Sequence, residues 1–294
     1  MNIGKALVMG IIQGLTEFLP ISSSGHLALL KYAFKLDTDA GILFDVLLHL
    51  STIIAICIVF FKDVARIVTE FFGIVADVFY NITVFFTGLG SAKASDYRPI
   101  ITSSYRKFTV MLIISTIPTG ILGMLLQSVV QYCGGNLLVT GICFAGTGII
   151  VFIADLMEGG TKKPKTATLP DAFCVGVAQG ISTLPGLSRS GATIAAGMLC
   201  GFDRKFAVKY SYIMSIPAVL GALVVELFNI PNTTMTAADF GCYVLGMIIA
   251  GVVGFFALNI VMRLVKSRYF KYFSFYCFFA GIISIIFYIV DRFK

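Results

Sequence analysis

A short pattern occurs twice in this chain, and each copy is a broken helix. Residues Gly10–His26 read GIIQGLTEFLPISSSGH, and residues Gly176–Ala192 read GVAQGISTLPGLSRSGA. Laid together without gaps, Gly10, Gln13, Gly14, Ser22, Ser24 and Gly25 fall on Gly176, Gln179, Gly180, Ser188, Ser190 and Gly191. Each copy is an apolar half-helix, a proline that breaks it, and a Ser/Gly loop able to start a second half-helix. The copies differ where chemistry is decided. Glu17 faces Thr183, Ser23 faces Arg189, and His26 faces Ala192.

The surroundings of the two copies are those of a membrane protein. Apolar residues make up 58% of the chain and charged residues 13%, with a mean hydropathy of +0.94, which excludes an ordinary soluble domain. No charged residue occurs between Phe108 and Ala154, a stretch long enough for two spans of about 20 residues each. Asn2–Leu30 is a poor signal peptide, because Glu17, Pro20 and a serine cluster interrupt it. The 7 cysteines stand singly and form no CxxC, so they read as small membrane-core residues, not a disulfide or zinc framework. The net charge of +7 suits cytosolic loops beside anionic lipid. A soluble basic surface for nucleic acid is lacking.

Six spans can be drawn: Phe44–Phe61, Phe108–Val130, Asn136–Ala154, Tyr210–Phe228, Phe240–Met262 and Tyr272–Val290. The two motif segments are taken to enter the membrane and return, and Thr69–Gly90 to lie on one face as an amphipathic hairpin. Lys5, Lys31, Lys35, Arg292 and Lys294 then fall on one side, and the basic residues from Lys62 to Lys271, Arg189 excepted, on the other. By the positive-inside rule the richer side is cytoplasmic and both termini are outside. The first motif then enters from outside and the second from the cytoplasm, so the copies are inverted. Discontinuous helices in inverted repeats put a polar site near the bilayer midplane. The expected fold is therefore an all-α integral membrane protein. It has inverted-topology repeats, with about six transmembrane helices plus two broken re-entrant helical hairpins. One membrane domain, 1–294, divides into halves 1–154 (motif 10–26) and 155–294 (motif 176–193).

Arg189 is the one Lys or Arg that this scheme puts inside the membrane, where a charge is paired or functional. Glu17 is its acidic counterpart. The pair reads either as an ion pair pinning the two halves or as two groups facing an anionic, metal-bound ligand. Ser22-Ser23-Ser24-Gly25 and Ser188-Arg189-Ser190-Gly191 each open a new apolar stretch. Serine is a preferred N-cap, and a helix N-terminus is an anion site. Two such termini with a forked guanidinium describe a phosphate cradle. His26 is a candidate base, acid or nucleophile, and Ser23 the other nucleophile candidate. Glu17 suits a hard divalent cation, with neutral Gln13 one turn earlier a weak second ligand. His49 and Asp45, in FDVLLHLST, read as polar residues lining the site. Gly14 and Gly180 read as helix-packing glycines.

Gln13–His26 (QGLTEFLPISSSGH) and Pro185–Thr193 (PGLSRSGAT) resemble the two signature motifs of the bacterial undecaprenyl-diphosphate phosphatases of the bacitracin-resistance type. Phe44–Thr52 and Tyr210–Ala218 also look like family stretches. The resemblance implies a phosphatase of the cell membrane that acts on the outer face. It would remove the terminal phosphate of the C55 prenyl diphosphate carrier, recycling it for cell-wall synthesis and conferring bacitracin resistance. It implies an essential acid at Glu17, catalytic roles for Ser23 and His26, and a diphosphate grip by Arg189 with Ser188 and Thr193 beside it. It further implies a need for Mg²⁺ or Ca²⁺ and a homodimer. Family members carry Glu or Gln where Gln13 stands, so a two-carboxylate metal site is in doubt in this chain. Leu187 replaces a Thr often found in the second motif.

Inverted repeats are also transporter architecture, and a prenyl-phosphate transporter or flippase with the same site is the alternative reading. The phosphatidic-acid-type lipid phosphatases require a His after the Ser-Arg pair, and no His follows Arg189. A purely structural packing repeat leaves Glu17 and Arg189 in the membrane without a role.

Overall fold

The computed structural model describes residues 2–35, 38–88, 96–157, 159–228, 237–264 and 270–293. Lys93, Lys266, Arg268 and Lys294, counted above by their charge, and Leu89–Gly90 at the end of the expected hairpin lie outside them. The chain runs α1 (Ile3–Phe18), α2 (Ser23–Phe34), α3 (Thr38–Val59), α4 (Phe61–Thr87), α5 (Ser104–Cys133), α6 (Leu137–Leu156), α7 (Leu169–Ile181), α8 (Arg189–Leu199), α9 (Arg204–Phe228), α10 (Ala237–Leu264) and α11 (Phe270–Arg292). No strand occurs among the described residues beyond one isolated bridge between Lys162 and Phe202. The all-α membrane class expected from the sequence is what the structure has, with 6 helices among the described residues long and apolar enough to cross a membrane.

Local chemistry explains the short helices. Asn2 caps α1 by accepting from the Lys5 N–H at 2.9 Å, and α1 ends at Phe18, just ahead of Pro20. Ser22 caps α2 and Ser188 caps α8, through hydroxyls that accept from Gly25 N and Gly191 N. α7 opens with a capping box between Thr168 and Asp171 and stops at Ile181, before Pro185.

Between apolar helices in lipid there is little hydrophobic drive, so close packing of small residues takes its place. The motif glycines supply it. A Cβ on Gly10 or Gly14 would lie 2.6 Å from the carbonyl oxygens of Gly246 or Ala250 on α10. On α7, one on Gly176 would lie 2.3 Å from Ser115 O, and one on Gly180 2.6 Å from Leu122 Cβ, both on α5. Gly141 and Gly148 likewise bring α6 against α11. Buried hydroxyls cross the same seams: Thr119 to Gly176 O at 2.9 Å, Ser274 to Gly148 O at 2.6 Å and Ser284 to Leu137 O at 2.7 Å. Each contributes roughly 0.6 kcal/mol on average. The neighbour relations come in matching sets. α1 lies on α10 as α7 lies on α5, α3 lies on α10 as α9 lies on α5, and α3 meets α9 and α6 meets α11.

One expectation is corrected. Residues 69–87 are no hairpin but part of one uninterrupted helix, because between Phe61 and Thr87 a lone glycine, Gly73, is the only potential breaker. The expected span that opens at Phe44 lies within α3, whose 22 residues run to Val59, and Phe61 instead begins α4, itself long and apolar enough to cross a membrane. The polar edge of α4 is tied to the ends of its neighbours. Asp63 accepts from Tyr105 at 2.9 Å and from Lys209 at 2.6 Å. Arg106 binds Glu70 at 3.1 Å and Asp77 at 2.5 Å, and Asn81 exchanges two hydrogen bonds with the Arg98 backbone. The described hydrogen bonds from α4 to α5 thus reach only the first turn of α5. Phe61, Phe72, Phe79 and Phe86 are exposed on the opposite edge.

Candidate active site

The two proline breaks bring α2 and α8 together by their N-termini. The Ser24 hydroxyl accepts from Gly186 N at 3.5 Å, and the Ser190 hydroxyl donates to Leu19 O at 3.2 Å. In motif register Leu19 is the counterpart of Pro185 and Gly186 that of Pro20, so the cross-contacts are near mirror images. Gly25 is required by the close approach, since a Cβ there would lie 2.5 Å from the Phe144 ring and 2.9 Å from Gly186 Cα.

Glu17, on the last turn of α1, is the hub. Its side chain is 3% exposed. Oε1 accepts from the Arg189 guanidinium. Oε2 accepts from Ser23 Oγ at 2.6 Å and from Gln13 Nε2 at 3.0 Å. His49 Nδ1 stands 3.5 Å from the same oxygen and 3.1 Å from Gln13 Nε2. The residue at which the sequence copies differ most, Ser23 against Arg189, therefore meets its counterpart on one carboxylate. Asp45 lies elsewhere, paired with Lys31 of α2.

The remaining predicted residues frame this centre. Ser188 N donates to Thr147 Oγ1 at 2.9 Å, and the same hydroxyl donates to Gly186 O at 3.0 Å, so α6 holds the second loop. Thr193 donates to the Arg189 carbonyl at 2.8 Å and contacts the Ser211 hydroxyl; it braces the Arg189 backbone and does not point at Glu17. Gly191 packs on Val151. A small cavity beside Glu17 and Arg189 is lined by Phe18, Ile56, Ser190, Ser211, Tyr212 and Ser215.

His26 does not reach Ser23. Its Nδ1 lies 2.6 Å from Ser22 O, and its Nε2 lies 2.7 Å from the Tyr276 hydroxyl on α11. Ser22 has φ +67°, a left-handed conformation that costs a non-glycine residue about 1–3 kcal/mol. Its counterpart Ser188 has φ −71°. Sequence reasoning missed Tyr276, Phe144 and Thr147. They come from α11 and α6, and nothing in their local sequence ties them to a motif 39 (Thr147 to Gly186) to 250 (Tyr276 to His26) residues away.

For a divalent cation the donor set is one carboxylate, Glu17, and one amide oxygen. Gln13 Oε1 is buried and has no hydrogen-bond partner. Among the described residues no group of 3 or more His, Cys, Asp or Glu could hold a metal. Two hard oxygens fit Mg²⁺ or Ca²⁺ where substrate phosphates complete the shell, and not an all-protein cage.

The sequence profile of the bacitracin resistance protein BacA matches residues 6–283. The chain belongs to the BacA family. Similar relatives cover both chains almost end to end. The undecaprenyl-diphosphatase of Treponema denticola is 37% identical over 276 residues, 94% of this chain and 94% of its own. That of Methanobrevibacter smithii is 36% identical over 286 residues, 96% of each. That of Methanosphaera stadtmanae is 32% identical over 286 residues, 97% of this chain and 98% of its own. In this BacA-family chain, Gln13, Ser23 and Arg189 of the motifs that carried the resemblance gather on Glu17, while His26 and Thr193 bond to other partners.

Proposed function

We propose that this chain is a cell-membrane phosphatase that hydrolyses undecaprenyl diphosphate to undecaprenyl phosphate and phosphate, recycling the lipid carrier for cell-wall synthesis and conferring bacitracin resistance. The observation that carries the reading is Ser23 Oγ donating at 2.6 Å to Glu17, whose other oxygen takes the Arg189 guanidinium. A hydroxyl on a carboxylate, beside a guanidinium and two helix N-termini, is a nucleophile with its base in an anion site.

Phosphoryl transfer asks for positioning and charge neutralisation. In the proposed reaction, a diphosphate entering between the loops draws Arg189 and the free N–H groups of α2 and α8. Ser23 Oγ attacks the terminal phosphorus as its proton passes to Glu17 Oε2. The bridging P–O bond breaks, and the prenyl monophosphate leaves. Glu17 passes the first proton to the departing monophosphate and is a carboxylate again. Water then attacks the phosphoserine as Glu17 takes the water proton, the P–Oγ bond breaks, inorganic phosphate leaves, and Glu17 returns that proton to Ser23 Oγ. Glu17 and Gln13 would hold a Mg²⁺ or Ca²⁺ ion, which when bound supplies further charge neutralisation of the phosphates. Ser22, Ser24, Gly25, Ser188, Ser190, Gly191 and Thr193 shape and brace the cradle.

Inverted halves 1–154 and 155–294, each with a re-entrant motif, account for the matching sets of helix neighbours. The charge pattern supports both termini outside and the site opening outward. It also supports α4 lying along the cytoplasmic interface, its phenylalanines in lipid. A homodimer belongs to the same proposal.

The test is phosphate release from C55 prenyl diphosphate by the purified protein in detergent, with Mg²⁺, with Ca²⁺ and with chelator. Metal-dependent release that Arg189→Ala and Ser23→Ala abolish supports the reading. No release from folded protein under any condition sinks it, and lipid translocation in vesicles would then test the transporter alternative.

A further inference from the structure

We infer that Tyr276 is a positioning residue for the reaction: its hydroxyl and the His26 imidazole form a strut that holds Ser22 in its left-handed turn and so aims Ser23 at Glu17. The kinetic part of this inference rests on the phosphatase reading above.

A backbone carbonyl only accepts, so the 2.6 Å contact with Ser22 O requires the proton on His26 Nδ1. In the neutral ring Nε2 is then the acceptor, and the Tyr276 hydroxyl at 2.7 Å donates to it. The two rings are stacked, 5.6 Å apart and 5° from parallel, and Phe144 packs edge-on at 5.1 Å. His26 therefore has one orientation, with both nitrogens spoken for by protein groups. Neither faces Ser23.

Tyr276 is itself rigidly held. Two residues before it, Ser274 donates to Gly148 O at 2.6 Å. One residue after it, the Cys277 thiol lies 3.7 Å from Pro20 O, inside the first break. The strut thus runs from α11 through His26 to the Ser22 carbonyl. The internal control is the second copy. There Ala192 replaces His26, no strut exists, and Ser188 has an ordinary backbone with φ −71°. Left-handed backbone at Ser22 (φ +67°) occurs where the imidazole is present to hold it.

Tyr276→Phe removes the hydroxyl and keeps the stacked ring. The chain has 2 histidines, so ¹⁵N-histidine spectra of the full-length protein in nanodiscs separate His26 from His49 with one further variant. In Tyr276→Phe the His26 Nε2 resonance is expected to move to that of a nitrogen without a donor, while Nδ1 stays protonated. With prenyl diphosphate, kcat is expected to fall about ten- to a hundred-fold, the cost of a misaimed group, with KM changed less than about two-fold. Ser22→Gly added to Tyr276→Phe is expected to recover part of that kcat, because glycine adopts the left-handed turn freely and is tolerated at an N-cap. An unmoved Nε2 signal overturns the pairing. An unchanged kcat in Tyr276→Phe, or no recovery with glycine at 22, overturns the positioning role. If the unaltered protein releases no phosphate, the phosphatase reading is what fails, and the nitrogen spectrum still decides the strut.

Discussion

Consider removing the charge from Arg189. Its guanidinium meets Glu17 at the junction of α1 and α8, and the carboxylate is 3% exposed while the guanidinium side chain is 24% exposed. Breaking a fully buried ion pair by deleting one partner costs about 3–5 kcal/mol, because the other charge is left uncompensated. Arg189 keeps some contact with solvent, and Ser23 and Gln13 still donate to Glu17. Arg189→Met is therefore expected at the low end, about 2–3 kcal/mol, a fall in Tm of about 4–10 °C for a chain of this size. Glu17→Leu strands a cation and is expected to cost as much. The double variant Glu17→Leu/Arg189→Met removes both charges and is expected to recover most of the lost stability, since apolar replacement of a whole buried pair is often neutral. It is expected to recover no phosphate release, because base and anion grip are both gone. The assay is thermal unfolding in detergent beside phosphate release. A double variant as unstable as the worse single variant refutes the electrostatic reasoning. A double variant with substantial activity refutes the site.

Ser23→Ala should leave Tm within about 1 °C and lower kcat about 10²–10⁴-fold, read by single-turnover phosphate release; retained turnover would point to another nucleophile. Gly14→Ala sets a Cβ 2.6 Å from a backbone carbonyl on α10 and is expected to destabilise by about 1–3 kcal/mol, measured as the shift in unfolding midpoint. Burial pushes the Asp171 carboxyl up, but Lys162 at 2.8 Å and the Thr168 backbone outweigh it and hold it below the usual range. Its stabilisation is present above the unfolded value of about 3.9 and is lost as pH falls through the folded value. Asp171→Asn should therefore lower Tm at pH 7, with the deficit vanishing in acid. A cysteine at Thr87, the last residue of α4, is expected to react with an impermeant maleimide from the cytoplasmic side, and labelling only from outside would refute the interfacial placement of α4.

Much of the site was legible because it is local. Ser22 and Ser188 are N-caps in the sequence pattern and in the structure, and Pro20 and Pro185 follow the ends of α1 and α7. These features are decided within four or five residues by capping and ring sterics. Gly14 and Gly180 were legible as packing glycines because little else explains a glycine repeated inside an apolar helix. The 69–90 segment was misread as a hairpin because Glu70 and Asp77, seven residues apart on one face, signal an amphipathic surface without saying whether the chain turns. His49 was visible as a polar residue in an apolar run, but its seat beside Gln13 and Glu17 was not.

By itself, then, the sequence determined the membrane class, the two broken helices and the residues that must gather where they meet. Hydropathy, caps and prolines act along the chain. Only the tertiary structure decided partners: Ser23 on Glu17, His26 on Tyr276 instead of Ser23, Thr147 beneath the second loop. Those choices depend on which faces of α6 and α11 the glycine seams bring against α2 and α8. A side chain 250 residues away leaves no trace in a local pattern.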